Sequence, residues 1–217
     1  MKYIKYNVHS GADNMRIDSE LLDTAITNNC NEPIFRLYGW SPRCISLGRH
    51  QNGSFAAGIN EDIVRRLTGG RALLHDNEVT YSCVIPVSYI PNGESVTESY
   101  KYISSYIIRF FKTLGVELNF GENKKPSTNF DYCMLISTGA DVCYEGKKII
   151  GSAQFRKNGY ILQHGSILFD YNRKLLENLF NEEVTNDKIT TVNEILPEIT
   201  KEEFIKRFEN FITTETL

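Results

Sequence analysis

A chain of 217 residues with a net charge of −3 is long enough for a sizeable core and offers no overall basic field to nucleic acid or an anionic membrane. The balance of 41% hydrophobic and 24% charged residues is that of an ordinary soluble protein; no apolar run could span a bilayer, and the opening MKYIKYNVHSGADN is no signal peptide. Five scattered cysteines (Cys30, Cys44, Cys83, Cys133, Cys143) without a CxxC pair exclude the common zinc and thioredoxin-like patterns and suit free thiols in a reducing cytoplasm.

In chain order, the alternating MKYIKYNVH predicts a strand and GADN a turn. From Met15 to Thr27, Ile17, Leu21, Leu22, Ala25 and Ile26 share one helical stripe, with Asp13 or Asn14 as cap. PIFRLYGW and CISLGRH read as strands around a Ser41-Pro42 turn. NEDIVRRL, residues 60–67, reads as a short helix with acidic residues in its first turn, broken by TGGR. ALLHDNEVTYSCVIPV holds a strand, a turn at HDNE and a stronger strand.

SVTESYKYISSYIIRFFKTLG predicts a long helix, with Ser95 and Glu98 at capping-box spacing and Gly115 at its end. After a loop at 121–130 come two hairpins, turning at Glu145-Gly146 and at Asn158-Gly159. Two shorter helices follow, the last starting near Thr200 with Glu203 at capping-box spacing. Antiparallel hairpins with segregated helices predict an α+β fold: one domain over 1–217, with mixed or antiparallel sheets flanked by helices and residues 171–217 as a helical C-terminal region.

Three constellations could carry chemistry. RRLTGGRALLHD (65–76) places two glycines between arginines, suited to close backbone approach and an anionic group, or simply to a turn with solvated arginines. It matches neither GxxxxGK[ST] nor GxGxxG. Cys133, in NFDYCMLIST, is either a small apolar filler or a nucleophile; a nearby Lys148 ammonium would favour its thiolate. Cys143, within a strand, is the rival thiol. His164, in LQHGSILFD, reads as a structural histidine or a general base. Asp76, adjacent to His75 on a strand, points to the other face and does not orient it. The four histidines show no metal-ligand spacing.

Taken together and in order, NMRIDSELL, IFRLYGWSPRCISLGRHQN, RRLTGGRALLHDNEVTYSCVIP and EGKKIIGSAQFRKNGYILQHGSILFD resemble the lipoate–protein ligase and octanoyltransferase family, whose catalytic domain is shared with biotin protein ligases. The resemblance covers most of residues 1–170 and implies the biotin/lipoate protein ligase catalytic-domain fold. Arg71 stands where ligases usually carry a third glycine, Cys133 falls where the cysteine-dependent octanoyltransferases place their nucleophile, and Lys148 matches the family lysine. About fifty residues follow HGSILFD, fewer than in a ligase with an additional C-terminal domain or in the usual transferase. The sequence after the cysteine, CMLISTGADV, departs from the transferase pattern CFxxPSxYE.

The resemblance therefore implies an acyltransferase that moves octanoate from acyl carrier protein, through a Cys133 thioester, to a lysine of a lipoyl domain or the glycine-cleavage H protein. Lys148 would be the second catalytic residue. Arg66, Gly69, Gly70, Arg71, Ala72, Leu73, Leu74 and His75 would bind the acyl group, and His75 could help deprotonate the incoming lysine. Lys124, Lys125, Lys147 and Arg156 are scattered candidates for meeting the acidic carrier. No metal or other cofactor is implied. ATP and Mg belong to the rival reading of a lipoate–protein ligase. Further alternatives are transfer from the H protein and a non-catalytic lipoyl-binding subunit of a split ligase.

Overall fold

The structure, a computed structural model, describes residues 1–53, 60–122, 131–135, 139, 141–185 and 187–217. Among the described residues, ten strands form two sheets. The larger contains β1 (Lys2–His9), β2 (Ile34–Trp40), β6 (Glu78–Pro86), β7 (Asn119–Phe120), β8 (Val142–Tyr144), β9 (Lys147–Lys157) and β10 (Tyr160–Leu168), in the order β1-β2-β6-β10-β9-β8-β7. Only β1 and β2 pair in parallel; every other neighbour in it is antiparallel. The smaller sheet has the order β4-β3-β5, from β3 (Cys44–Leu47), β4 (Asp62–Arg65) and β5 (Leu73–His75). Among the described residues, the α-helices are α1 (Gly11–Thr27), α2 (Val96–Thr113), α3 (Arg173–Phe180), α4 (Val192–Ile195) and α5 (Lys201–Thr214). This is the expected α+β architecture. Among the described residues, no helix is long and apolar enough to cross a membrane.

The central strands are buried on both faces, with apolar residues on each side and a minority of buried polar residues among them. Phe35, Ile85 and Ile161 point to one side, where α2 and α5 pack with Ile103, Phe110, Phe204 and Phe208. Their chain neighbours Ile34, Val84 and Leu162 point to the other, against Leu22 and Ala25 of α1. Phe110 and Phe208 stack with centroids 4.1 Å apart, joining α2 to α5. A separate cluster links the small sheet to α3 through Ile45, Leu74, Tyr132, Leu176 and Phe180.

Local signals hold where hydrogen bonds close locally. Ser95 and Thr200 cap α2 and α5 by accepting from the N–H of Glu98 and Glu203. Glu145-Gly146 and Asn158-Gly159 take positive φ at both positions (48° and 79°, 49° and 80°), as two-residue hairpin turns require. Gly115, at φ 79°, follows the end of α2.

Three expectations are corrected. GADN is not a turn but the first turn of α1, because Ser10, rather than Asp13 or Asn14, is the cap; its Oγ accepts from Asp13 N–H and donates to the Asp13 carboxylate. Residues 60–67 are not helical: Asp62–Arg65 is β4, paired in parallel with β3 from Cys44↔Asp62 to Leu47↔Arg65. The β-branched Ile63 and Val64 suit this ladder, and the available partner strand overrides the acidic start. The C-terminal region has three helices, not two, with the one-turn α4 between α3 and α5.

Replacing Phe208 by Ala is expected to cost about 3–5 kcal/mol, read by denaturant unfolding, because its ring is fully enclosed between α2 and the sheet.

Candidate active site

The small sheet packs beside one end of the large one, and a pocket of about 450 Å³ opens between them. One wall comes from the 66–75 segment, a second from β9 and β10 around Gly151 and Gly165, and the third from Cys133.

Five of the eight expected acyl-binding residues line it: Arg66, Gly70, Arg71, Leu73 and His75. Gly69, Ala72 and Leu74 do not. Strand alternation sends Leu73 and His75 inward and Leu74 to a separate cleft beside Tyr132 and Leu168. Gly69 and Ala72 act through backbone carbonyls, which accept from Arg66 Nη2 at 3.1 Å and from Cys133 N–H at 2.8 Å. Arg66 organises this turn. Its Nη1 donates to Ser46 O and Ser46 Oγ, both at 2.7 Å, and its Nη2 also donates to Arg71 O at 2.9 Å. Burial lowers its pKa. Gly70, at φ 91°, closes the turn in a conformation that side chains resist.

His75 is buried and stacked on Trp40, with ring centroids 3.7 Å apart. Its Nδ1 meets Glu78 Oε1 at 2.5 Å and its Nε2 meets Ser46 Oγ at 2.6 Å. Since Ser46 Oγ accepts from Arg66, its own proton serves Nε2, and Nδ1–H donates to Glu78. Desolvation lowers the imidazole pKa, which favours this neutral tautomer. Both nitrogens are thus committed, so His75 shapes the wall; the expectation that it helps deprotonate an incoming lysine does not fit this geometry. Glu78, not Asp76, orients it. The HDNE turn brings that glutamate back beneath the histidine, a pairing visible in the sequence only as a His-x-x-Glu spacing.

His164 is held at both nitrogens as well, by Asp18 Oδ2 at 3.1 Å and Thr68 Oγ1 at 2.7 Å. Asp18 and Arg36 went unrecognised in the sequence. Asp18, on α1 and almost fully buried, also accepts from Arg36 Nη1 (2.9 Å), Tyr38 OH (2.9 Å) and Ser82 Oγ (2.8 Å). Burial opposes its charge, but His164, Arg36 and Ser82 outweigh it and hold the carboxyl below its ordinary value. This network forms the pocket floor under Tyr38 and His164.

Cys133 opens a 3₁₀ turn (Cys133–Leu135), half-buried at the pocket edge. Lys148 approaches from β9. Its Nζ donates to Cys133 O at 3.1 Å and pairs with Asp141 Oδ1 at 3.0 Å, with only 1% of the lysine exposed. Burial alone would drive off its proton, but Cys133 and Asp141 raise the ammonium pKa above its usual range. Asp141 is a further residue that sequence reasoning missed. Gly151 makes room for the pair, since a Cβ there would stand 2.9 Å from Met134 Sδ and 3.1 Å from Lys148 Cε.

The rival Cys143 is buried in β8, opposite Lys148 in register. Burial pushes the Cys44 thiol up to about 12 and Cys83 higher still. Arg156 is tied to the start of α2, donating to Gly93 O at 2.8 Å and Ser99 Oγ at 2.6 Å. Lys124, Lys125, the rest of residues 123–130 and residues 136–138 lie outside the described residues.

A model of the lipoyl protein ligase A/B catalytic domain matches residues 10–213. The protein named octanoyltransferase LipM of Clostridioides difficile (strain 630) is 39% identical over 181 residues, which cover 79% of this chain and 65% of that one. The LipM of Bacillus subtilis (strain 168) is 34% identical over 237 residues, covering 98% of this chain and 85% of that one. This chain thus spans just under two thirds of the Clostridioides relative. Among solved structures, lipoate-protein ligase A bound with ATP superposes with a TM-score of 0.72 at 19% identity, over 98% of this chain and 83% of that one. A bi-partite lipoate protein ligase from Thermoplasma acidophilum gives 0.66 at 18% identity, over 100% and 86%. These likenesses show the expected ligase catalytic-domain fold.

Replacing Arg36 by Met is expected to cost about 3–5 kcal/mol, because Asp18 would lose its fixed positive partner. The depressed folded pKa of Asp18 gives its stabilisation a sign: full above the reference value of 3.8 and lost as pH falls through the lower folded value. Asp18→Asn should therefore remove part of the acid sensitivity in urea unfolding, while lowering stability at neutral pH.

Proposed function

We propose, for a chain that belongs to the lipoyl protein ligase A/B catalytic-domain family, that it is an octanoyltransferase acting through a thioester on Cys133. The observation that carries this reading is the Lys148 ammonium, 3.1 Å from the carbonyl of Cys133, a residue that lines the pocket. The relatives named octanoyltransferase, at 34% and 39% identity, support it.

In the first half-reaction the Cys133 sulfur attacks the carbonyl of octanoyl–acyl carrier protein. A new S–C bond forms and the carrier's thioester S–C bond breaks; the carrier leaves as a thiol, bearing the proton that Cys133 gives up. Lys148 stabilises the thiolate and can donate to the oxyanion. The octanoyl chain lies in the pocket against Leu73 and Trp40, each buried CH₂ contributing about 0.8 kcal/mol. In the second half-reaction a lysine amine of a lipoyl domain or H protein attacks the Cys133 thioester. The lysine first releases its ammonium proton to solvent; as its neutral amine attacks, the amide N–C bond forms, the S–C bond breaks, and the second proton of the amine passes to the Cys133 sulfur, which regenerates the thiol.

A thioester donor is already activated, so this route calls for no ATP; a ligase would need ATP and Mg to make an acyl adenylate first. Free cysteines suit a reducing cytoplasm.

Incubation with octanoyl–acyl carrier protein should add one octanoyl group to the intact mass, and Cys133→Ala should abolish it. Lys148→Ala should slow adduct formation about 10²–10³-fold, the loss typical of an oxyanion donor. No adduct on the unmodified chain, together with ATP-dependent lipoylation of a lipoyl domain, would establish the ligase instead.

A further inference from the structure

The Cys133 turn is held from behind by the end of α3. After Phe180, Asn181 takes a φ of 50° and swings the half-buried Glu182 towards the backbone that precedes the cysteine. One carboxylate oxygen accepts from Asp131 N–H, the other from Tyr132 N–H at 3.2 Å. The Tyr132 ring stacks on Phe180, with centroids 4.8 Å apart. From the far side, Gln51 Nε2 donates to Asp131 Oδ1 at 3.4 Å, and Cys133 N–H donates to Ala72 O. Three successive amides, at 131, 132 and 133, are thereby fixed by acceptors from two other parts of the chain. Arg71, a wall residue of the pocket, attracts the same carboxylate.

We propose that Glu182 is a positioning residue for Cys133, clasping the two amides before it so that the thiol faces the pocket and Lys148. The catalytic part of this inference rests on the octanoyl-transfer reading. A carboxylate is the side chain suited to the task, because it accepts at both oxygens. Glutamine accepts at one and presents an N–H₂ to the second amide, a donor facing a donor. Glu182, Asp131 and Tyr132 do not line the pocket. Loss of the clasp should therefore act on the geometry of attack, where small displacements cost large factors in rate, and not on donor binding.

The test uses the full chain with octanoyl–acyl carrier protein. In Glu182→Gln, kcat for Cys133 acylation is expected to fall about tenfold or more with KM within about twofold. Hydrogen exchange at the Asp131 and Tyr132 amides should rise while helix and sheet amides stay protected. Glu182→Ala should fall further; if it fails to fold, the volume-conserving Gln variant decides. Unchanged kcat in Glu182→Gln, a raised KM at constant kcat, or unchanged exchange at those amides overturns the proposal. Should the unmodified chain accept no octanoyl group, the transferase reading fails, while amide exchange without donor still decides whether Glu182 holds the turn.

Discussion

A lysine with 1% of its surface exposed keeps its proton only if the protein supplies what water would have supplied. At Lys148 that supply is the Asp141 carboxylate and the Cys133 carbonyl, and the surrounding architecture serves to bring them there. The Glu145-Gly146 turn folds β9 back along β8, and so sets Lys148 near Asp141, seven residues earlier in the chain. Gly151 leaves the gap through which the lysine's terminal carbons pass. Because Asp141 already balances the ammonium, Lys148 contributes a fixed donor direction more than a net charge.

The same logic recurs below and beside the pocket. Arg36 with Asp18, and Arg66 through Ser46 and His75 to Glu78, are chains of buried polar groups satisfied almost wholly by one another. Such networks are rigid when complete, and they set the pocket's shape before any ligand arrives. Both histidines nearest the cavity are absorbed into them. Cys133, Lys148 and Asp141 form a separate group beside these networks.

What could be read from the sequence divides along the range of the interactions. Capping by Ser95 and Thr200 and turning at Asn158-Gly159 are settled within a few residues, and they were legible. So was the long apolar face of α2. The α1 cap lies three or four residues before the expected Asp13 or Asn14, because Ser10 competes with Asp13 and both take part in the cap. β4 was read as a helix because its ladder partner, β3, lies some eighteen residues away and leaves no mark on the local pattern. For the site, the motif resemblance pointed to Cys133, Lys148 and the 66–75 segment. Their counter-groups stayed hidden: Asp18, Glu78, Asp141 and Glu182 are ordinary surface-type residues until the fold turns them inward. Alternation along β5, invisible without the strand's orientation, decided which of the segment's side chains face the cavity.

The two-sided burial of β2, β6 and β10 also bears on how such a chain can change over evolutionary time. Ile161 and Leu162 face different cores, and His164 and Gly165 add the pocket to that same strand. Inserting or deleting one residue there would exchange the two faces along the remainder of the strand, carrying His164 away from Asp18 and apolar groups into the polar floor. Point substitutions remain open to this strand, but changes of length do not. Connecting segments and chain ends are where this fold can take up a change of length while the strand framework of the pocket keeps its register.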